Sequence, residues 1–218
     1  DCHSHLLPGV DDGVQSMEES LQILREMEQQ GIPRVWLTPH IMEDIPNETL
    51  ALQRKFRELL QQYRGAVELK LAAEYMLDNL FEERLEKEDL LLLEEGKRFL
   101  LVETSYFNPP MDFLSVLQRI QKKGYYPLLA HPERYEYMQK EDYNTLKEEH
   151  ISFQLNLPSL AGMYGKRVQG KAEWILRNGM YDRMGCDTHS CHRYQQMLFS
   201  SIKHNQTKLL DGVNANTL

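Results

Sequence analysis

Short apolar runs alternate with amphipathic segments from one end of this chain to the other, and that rhythm restricts the fold more than any other feature. Runs of about four to eight apolar residues are strand length, and strands joined through intervening helices pair in parallel. His3-Ser4-His5 closes a first strand that the chain, opening on Asp1 with neither an initiator methionine nor a signal-peptide pattern, is expected to enter part-way. Ser16-Met17-Glu18-Glu19 reads as a capping box, and Met17, Leu21, Leu24 and Met27 recur at helical spacing until Gly31. Val35-Trp36-Leu37 is too brief for a helix and is closed by Pro39; Asn47 caps a helix that runs to Tyr63. Val67 to Ala73 is the next strand, Asp78 to Glu88 a helix, Phe99 to Glu103 a strand, Met111 to Lys123 a helix stopped by Gly124, and Pro127 to Ala130 a strand. A helix near Tyr143 to Glu149 precedes a strand from Ile151 to Leu155. A helix from Lys166 to Asn178 then precedes the last strand, Tyr181 to Cys186, and a helical tail. About seven such units predict an α/β fold, a (β/α) barrel in one domain over residues 1–218. An open doubly wound sheet is the alternative, and the absence of a G-x-G-x-x-G turn after the first strand counts against it.

Composition narrows the partners. At 218 residues the chain builds a sizeable core without disulfide staples. Its apolar share of 41% is that of an ordinary globular protein, and no run nears the roughly 18 apolar residues of a membrane span. The net charge of -8 speaks against nucleic acid held on a general basic surface, so a phosphorylated ligand needs a strongly local positive site. Cys2, Cys186 and Cys191 lack framework spacing and read as reduced thiols of a cytoplasmic protein.

Candidates for that local site share one geometric address. His3 and His5 stand at i and i+2, which on an extended strand puts both rings on one side. Asp11 and Asp12 follow in the next loop, and His40 comes straight after Thr38-Pro39. Glu74, Glu103 and His131 close the third, fourth and fifth strands, and Asp187 and His189 close the seventh. Barrel enzymes build their sites at the C-terminal ends of their strands. Any one of these residues is as readily a helix cap or a carbonyl partner; five of the eight histidines at strand ends are not so explained. His150, His192 and His204 fall in helices or turns and receive no role. Imidazole and carboxylate together suit Mn, Fe or Zn, and carboxylates able to bridge suit more than one ion.

His3-Ser4-His5, Thr38-Pro39-His40, Ala73-Glu74-Tyr75, Val102-Glu103, Ala130-His131-Pro132-Glu133-Arg134-Tyr135 and Asp187-Thr188-His189, in that order, resemble the motifs of the PHP (polymerase and histidinol phosphatase) superfamily. More narrowly they resemble the bacterial tyrosine-protein phosphatases of the CpsB/CapC/YwqE type. The likeness extends through His5-Leu6-Leu7-Pro8-Gly9, Asp11-Asp12-Gly13 and Gln154-Leu155-Asn156. It implies a distorted (β/α)7 TIM-like barrel holding three divalent or trivalent metal ions, Mn, Fe or Zn with Mn first, at the C-terminal ends of the strands. It assigns His3, His5, Glu74 and Asp187 to one ion, Asp12, His40 and His189 to a second, and Glu74, Glu103 and His131 to a third, with Asp11 the alternative to Asp12. Arg134 matches a family arginine that contacts phosphate, and Arg193 is the nearest match to a second. The implied reaction is attack of a metal-bridging hydroxide on phosphotyrosine, the substrate being a protein such as a tyrosine autokinase of capsular or exopolysaccharide synthesis. Tyr75, Tyr106, Phe107 and Tyr135 follow the ligands and either line a slot for an aromatic ring or pack beneath the loops.

Rival readings fare less well. A cysteine phosphatase places five residues between its cysteine and arginine, whereas six separate Cys186 from Arg193 and one separates Cys191 from it. Another superfamily phosphoesterase, such as a histidinol-phosphate phosphatase, would share the metals and differ in the pocket. An amidohydrolase-type barrel commonly carries a lysine at a middle strand end, where this chain has Glu103. A barrel kept only as a docking module would have lost ligands, and all nine positions are present.

Overall fold

The alternation of apolar runs folds as alternating strands and helices. The computed structural model describes residues 1–94, 98–200, 210, 212 and 213; His204 and most of the expected helical tail lie outside them. In chain order the elements are α1 (Met17–Gln29), β1 (Arg34–Leu37), β2 (His40–Ile41), α2 (Thr49–Gln62), β3 (Glu68–Leu71), β4 (Glu74–Met76), α3 (Asn79–Lys87), β5 (Leu93–Glu94) and β6 (Arg98–Glu103). There follow α4 (Phe113–Lys122), β7 (Tyr126–Ala130), a 3-10 turn at Pro132–Arg134, α5 (Lys140–Glu148), β8 (Ser152–Asn156), α6 (Leu157–Leu160), α7 (Gly165–Arg177), β9 (Arg183–Gly185) and α8 (Cys191–Phe199). In α1 the Ser16 hydroxyl accepts the Glu19 N–H at 3.2 Å, and Ser20, Ile23, Leu24 and Met27 form the buried stripe.

Six strands lie in the order β2-β4-β6-β7-β8-β9, each pair parallel, while β1 pairs with β3 and the short β5 runs antiparallel to β6. The two sheets share one register: Leu37 faces Leu71 and His40 faces Glu74, so β2 and β4 continue β1 and β3 after a break. Pro39 explains the interruption, because it has no N–H to give the ladder. The Ala72 and Glu74 N–H groups still donate across it, to Leu37 and Pro39 carbonyls at 2.9 and 3.1 Å. His40 and Glu74 therefore open short strands where the sequence had placed them at strand ends.

Residues 1–5 run between β9 and β1. Cys2 and His5 donate their N–H groups to Met184 and Thr188 carbonyls, and Trp36 and Thr38 donate theirs to Asp1 and Ser4. Side chains replace part of this ladder: the Thr38 hydroxyl accepts the Ser4 N–H, and the Asp1 carboxylate accepts those of His3 and Cys186. Hence the expected first strand is an extended segment whose regular bridge is Ser4 to Thr188.

The parallel sheet curls. Alternate residues of β6 divide between two clusters: Phe99 and Leu101 join Cys2, Trp36, Ala72, Leu128 and Ala130 on the concave face, and Leu100 and Val102 join the larger core under the helices. Glu103, two residues past Leu101, stays on the concave side and so arrives at the site.

Local details differ from the sequence reading. Asn47 does not cap α2; its side-chain amide donates instead to the Val10 and His40 carbonyls, tying that loop to the site. Helix α5 starts three residues before Tyr143, because Gln139 and Asp142 form a capping box ahead of the first apolar position. The short β5 and α6 carry no period long enough to announce them.

Candidate metal centre

Nine imidazole and carboxylate side chains converge above the concave face. His3 Nε2 and His5 Nε2 stand 3.1 Å apart, and each lies 3.1–3.2 Å from Glu74 Oε2 and 3.4–3.5 Å from Asp187 Oδ1. His40 Nδ1 is 3.2 Å from both Glu74 Oε2 and Glu103 Oε1. His131 Nε2 is 3.1 Å from Glu74 Oε1 and 3.8 Å from Glu103 Oε2. Asp12 Oδ1 faces His40 Nε2 and His189 Nε2 at 3.5 and 3.6 Å. Three groupings close enough to share an ion result: His3, His5, Glu74 and Asp187; His5, Asp12, His40 and His189; and His40, Glu74 and Glu103. The first equals the set implied by the resemblance. The second adds His5 to its set, and in the third His40 stands nearer Glu103 than His131 does.

Glu74 Oε2 makes the fit of a cation testable. It is buried and has no hydrogen-bond partner, although three imidazole nitrogens lie 3.1–3.2 Å from it. A buried carboxylate oxygen left unbonded is costly. Donor atoms that share one ion at about 2.0–2.2 Å stand roughly 3–3.5 Å apart, which is the spacing seen.

Surrounding groups aim these donors. His5 Nδ1 lies 2.9 Å from Asp11 Oδ2, which also accepts the His40 N–H at 3.0 Å, so Asp11 holds these two residues in place while Asp12 faces the His40 and His189 rings. Gln154 Oε1 is 3.0 Å from His3 Nδ1, leaving the His3 Nε2 directed at Glu74, and it also accepts the main-chain N–H of His131. His189 Nδ1 lies 2.9 Å from its neighbour Asp187's carbonyl, and its Nε2 is turned to Asp12. Two glycines permit this crowding: a Cβ on Gly13 would overlap His5, and one on Gly185 would overlap His3. His131 and Asp187 sit in the left-handed region, at φ 35° and 48°, a conformation that costs non-glycine residues on the order of 1–3 kcal/mol and gathers at functional sites.

Electrostatics keep the set charged. Burial opposes a proton on His3, His5 and His40, yet the neighbouring carboxylates outweigh it and all three sit above the ordinary imidazole value. Burial likewise opposes ionisation of Glu74 and Asp187, and the His3 charge and its neighbours hold both well below the usual carboxylate range. Asp12 is held at about 2, chiefly by His189. A cation among these atoms replaces protons that the carboxylates otherwise retain on the rings.

Arg134 leaves the 3-10 turn after β7 and places Nη1 2.5 Å from Asp187 Oδ2, its guanidinium 4.5 Å from the ring centres of both Tyr106 and Tyr164. Nearby acids are engaged elsewhere: Glu133 accepts from Asn156 and Tyr181, and Glu136 pairs with Arg167. Arg193, in the first turn of α8, also lines the cavity, 5.9 Å from the Tyr164 ring. Of the four aromatic residues singled out in the sequence, Tyr106 lines the cavity; Tyr75 and Tyr135 are fully buried in the core and Phe107 is exposed. Tyr164, Gln154 as an orienting group, Met42 and Met76 carried no sequence signal beyond the Gln154 motif. Cys186 is buried and burial pushes its thiol up to about 12, which disqualifies it as a nucleophile. His150 and His192 are exposed and belong to none of the three groupings.

Residues 1–214 match the family model described as "Capsular polysaccharide synthesis, CpsB/CapC". The chain is 27% identical over 197 residues to tyrosine-protein phosphatase YwqE of Bacillus subtilis, covering 87% of this chain and 77% of that protein. It is 28% identical over 207 residues to tyrosine-protein phosphatase CpsB of Streptococcus pneumoniae, covering 87% and 82%. A solved chain from the crystal structures of YwqE and CpsB, described there as unique metal-dependent tyrosine phosphatases, superposes with TM-score 0.78 at 24% identity over 96% of this chain and 93% of that one. The curled α/β fold is thus shared.

Proposed function

We propose, from the premise that this chain belongs to the capsular polysaccharide synthesis family CpsB/CapC, that it is a metal-dependent protein-tyrosine phosphatase. The observation carrying this reading is the Glu74 carboxylate buried among His3, His5, His40 and His131. In this reading the described residues belong to one PHP-type domain, a distorted (β/α)7 barrel with residues 1–5 as the strand between β9 and β1. Backbone hydrogen bonds on both sides of that segment support the assignment. Three ions, Mn, Fe or Zn, would be held by His3, His5, Glu74 and Asp187, by Asp12, His40 and His189 with His5 adjoining, and by Glu74, Glu103 and His131 with His40 adjoining; the close groupings of these side chains support that reading. When bound, such ions supply Lewis acidity and the positive charge that a chain of net charge -8 otherwise lacks.

Around that charge the chain's own residues bind and orient the ester. Arg134, its guanidinium 4.5 Å from the ring centres of both Tyr106 and Tyr164, presents a fixed fork of donors to the phosphoryl oxygens, where charge redistributes as the ester bond breaks. Arg193 adds a second cation at the rim. The departing phenolate, of pKa about 10, asks less of a proton donor than an alkoxide would. The physiological substrate in this reading is a phosphotyrosine protein of capsular or exopolysaccharide synthesis, such as a tyrosine autokinase, met in the cytoplasm; the family's tie to capsule synthesis supports it. No described helix is long and apolar enough to cross a membrane.

The test is substrate preference. Metal-replete protein is expected to hydrolyse a phosphotyrosine peptide with kcat/KM at least tenfold above the matching phosphoserine peptide and histidinol phosphate, a difference of about 1.4 kcal/mol. Faster turnover of histidinol phosphate would transfer the site to the other branch of the superfamily.

A further inference from the structure

The cavity over the candidate metal centre has a volume of about 550 Å³ and is lined mostly by charged and polar residues. Met42, Met76 and Tyr106 are the apolar exceptions, and Arg134 already lies over the Tyr106 ring at 4.5 Å. We propose that Met42 and Met76 form the seat on which the substrate's aromatic ring lies, so that this pair sets the preference for aryl over alkyl phosphate esters. The inference rests on the phosphotyrosine reading of the site and names the residues that would enforce it.

Both side chains reach the cavity wall from neighbouring stretches of chain. Met42 stands two residues beyond His40 and Met76 two beyond Glu74, so each shares the face of the metal-facing residue before it. The ladder pairs His40 with Glu74 and Ile41 with Tyr75 and ends there; Met42, the next residue, bridges Ile45, Met76 is in register with Glu103, and both methionines line the cavity. Ile41 and Tyr75, pointing the other way, are fully buried in the core; Met42 and Met76 are half-buried and belong to neither core cluster. Two apolar side chains that stabilise no core yet border a polar cavity call for an apolar partner from outside. Thioethers suit an aromatic ring because they are polarizable and conform to its edge or face. Arg134 approaches from the turn after β7, two strands away from β4, so a phosphoryl group beneath the guanidinium leaves its ring free to extend toward the methionines.

Phenylphosphonate and methylphosphonate carry the same headgroup and differ in the ring, so the ratio of their affinities for metal-replete protein, measured by calorimetry, isolates the seat from the catalytic step. The unchanged protein is expected to bind phenylphosphonate about tenfold or more tightly than methylphosphonate, on the scale of two thioether contacts. Met42→Ala with Met76→Ala should bring that ratio within about twofold by weakening phenylphosphonate alone, and Met42→Leu with Met76→Leu should restore most of it. A ratio that survives in the double alanine protein, or a parallel loss of both ligands, overturns the role of the methionines while leaving phosphotyrosine hydrolysis standing. Absence of any phenyl preference in the unchanged protein overturns the seat, whereas the phosphotyrosine reading falls only to the kinetic comparison of substrates.

Discussion

Glu74→Gln is expected to lower kcat/KM toward phosphotyrosine by roughly 10³-fold or more, about 4 kcal/mol of transition-state stabilisation, and to lower bound metal with it. Glutamine keeps the size of the side chain, so altered packing does not account for such a loss. What changes is charge: both Glu74 oxygens face imidazoles, Oε1 that of His131 and Oε2 those of His3, His5 and His40. An amide bridges ions poorly and turns an N–H pair toward rings that already compete for acceptors. Metal analysis and phosphotyrosine kinetics on the same preparation check the result, with circular dichroism to confirm the fold. A variant that keeps its metal and stays within tenfold of the unchanged protein would remove Glu74 from the centre of the mechanism.

Arg134→Ala is expected to cost roughly 10²-fold in kcat/KM, about 3 kcal/mol, the scale of losing one charge-stabilising donor. Metal should stay, because Asp187 remains beside His3 and His5 and still accepts from Asn156 at 3.3 Å. Arg134→Lys should recover little, since an ammonium does not reproduce the planar guanidinium that lies over Tyr106 and Tyr164 and does not offer two parallel donors. Near-normal kinetics would make the arginine a structural partner of Asp187. Loss of metal alongside activity would assign it to holding that carboxylate.

Most of the donor set is legible in the sequence because its signals are local. His3 and His5 share a strand face by period two, and Glu103, His131, Asp187 and His189 each follow an apolar run. The division of labour between Asp11 and Asp12 is not local: it depends on Asp11 meeting His5 and the His40 N–H across the loop, with Asp12 left facing two other rings. The same holds for Tyr164, which sits after α6 in a stretch without period and reaches both arginines only through tertiary packing. Asn47 looked like a cap because its type favours one; two carbonyls at the rim of the site compete for its amide and win. Pro39, read as a strand stop, pauses a ladder that resumes in register and delivers His40 opposite Glu74.

If phosphotyrosine hydrolysis depends on metal held by these nine side chains, turnover follows metal content as the metal is removed and returned. Exhaustive chelation, with metal content verified, is expected to abolish turnover, and titration with Mn, Fe or Zn to restore it in proportion to metal bound until the site is full. Undiminished phosphotyrosine hydrolysis by protein verified to be metal-free would contradict the account.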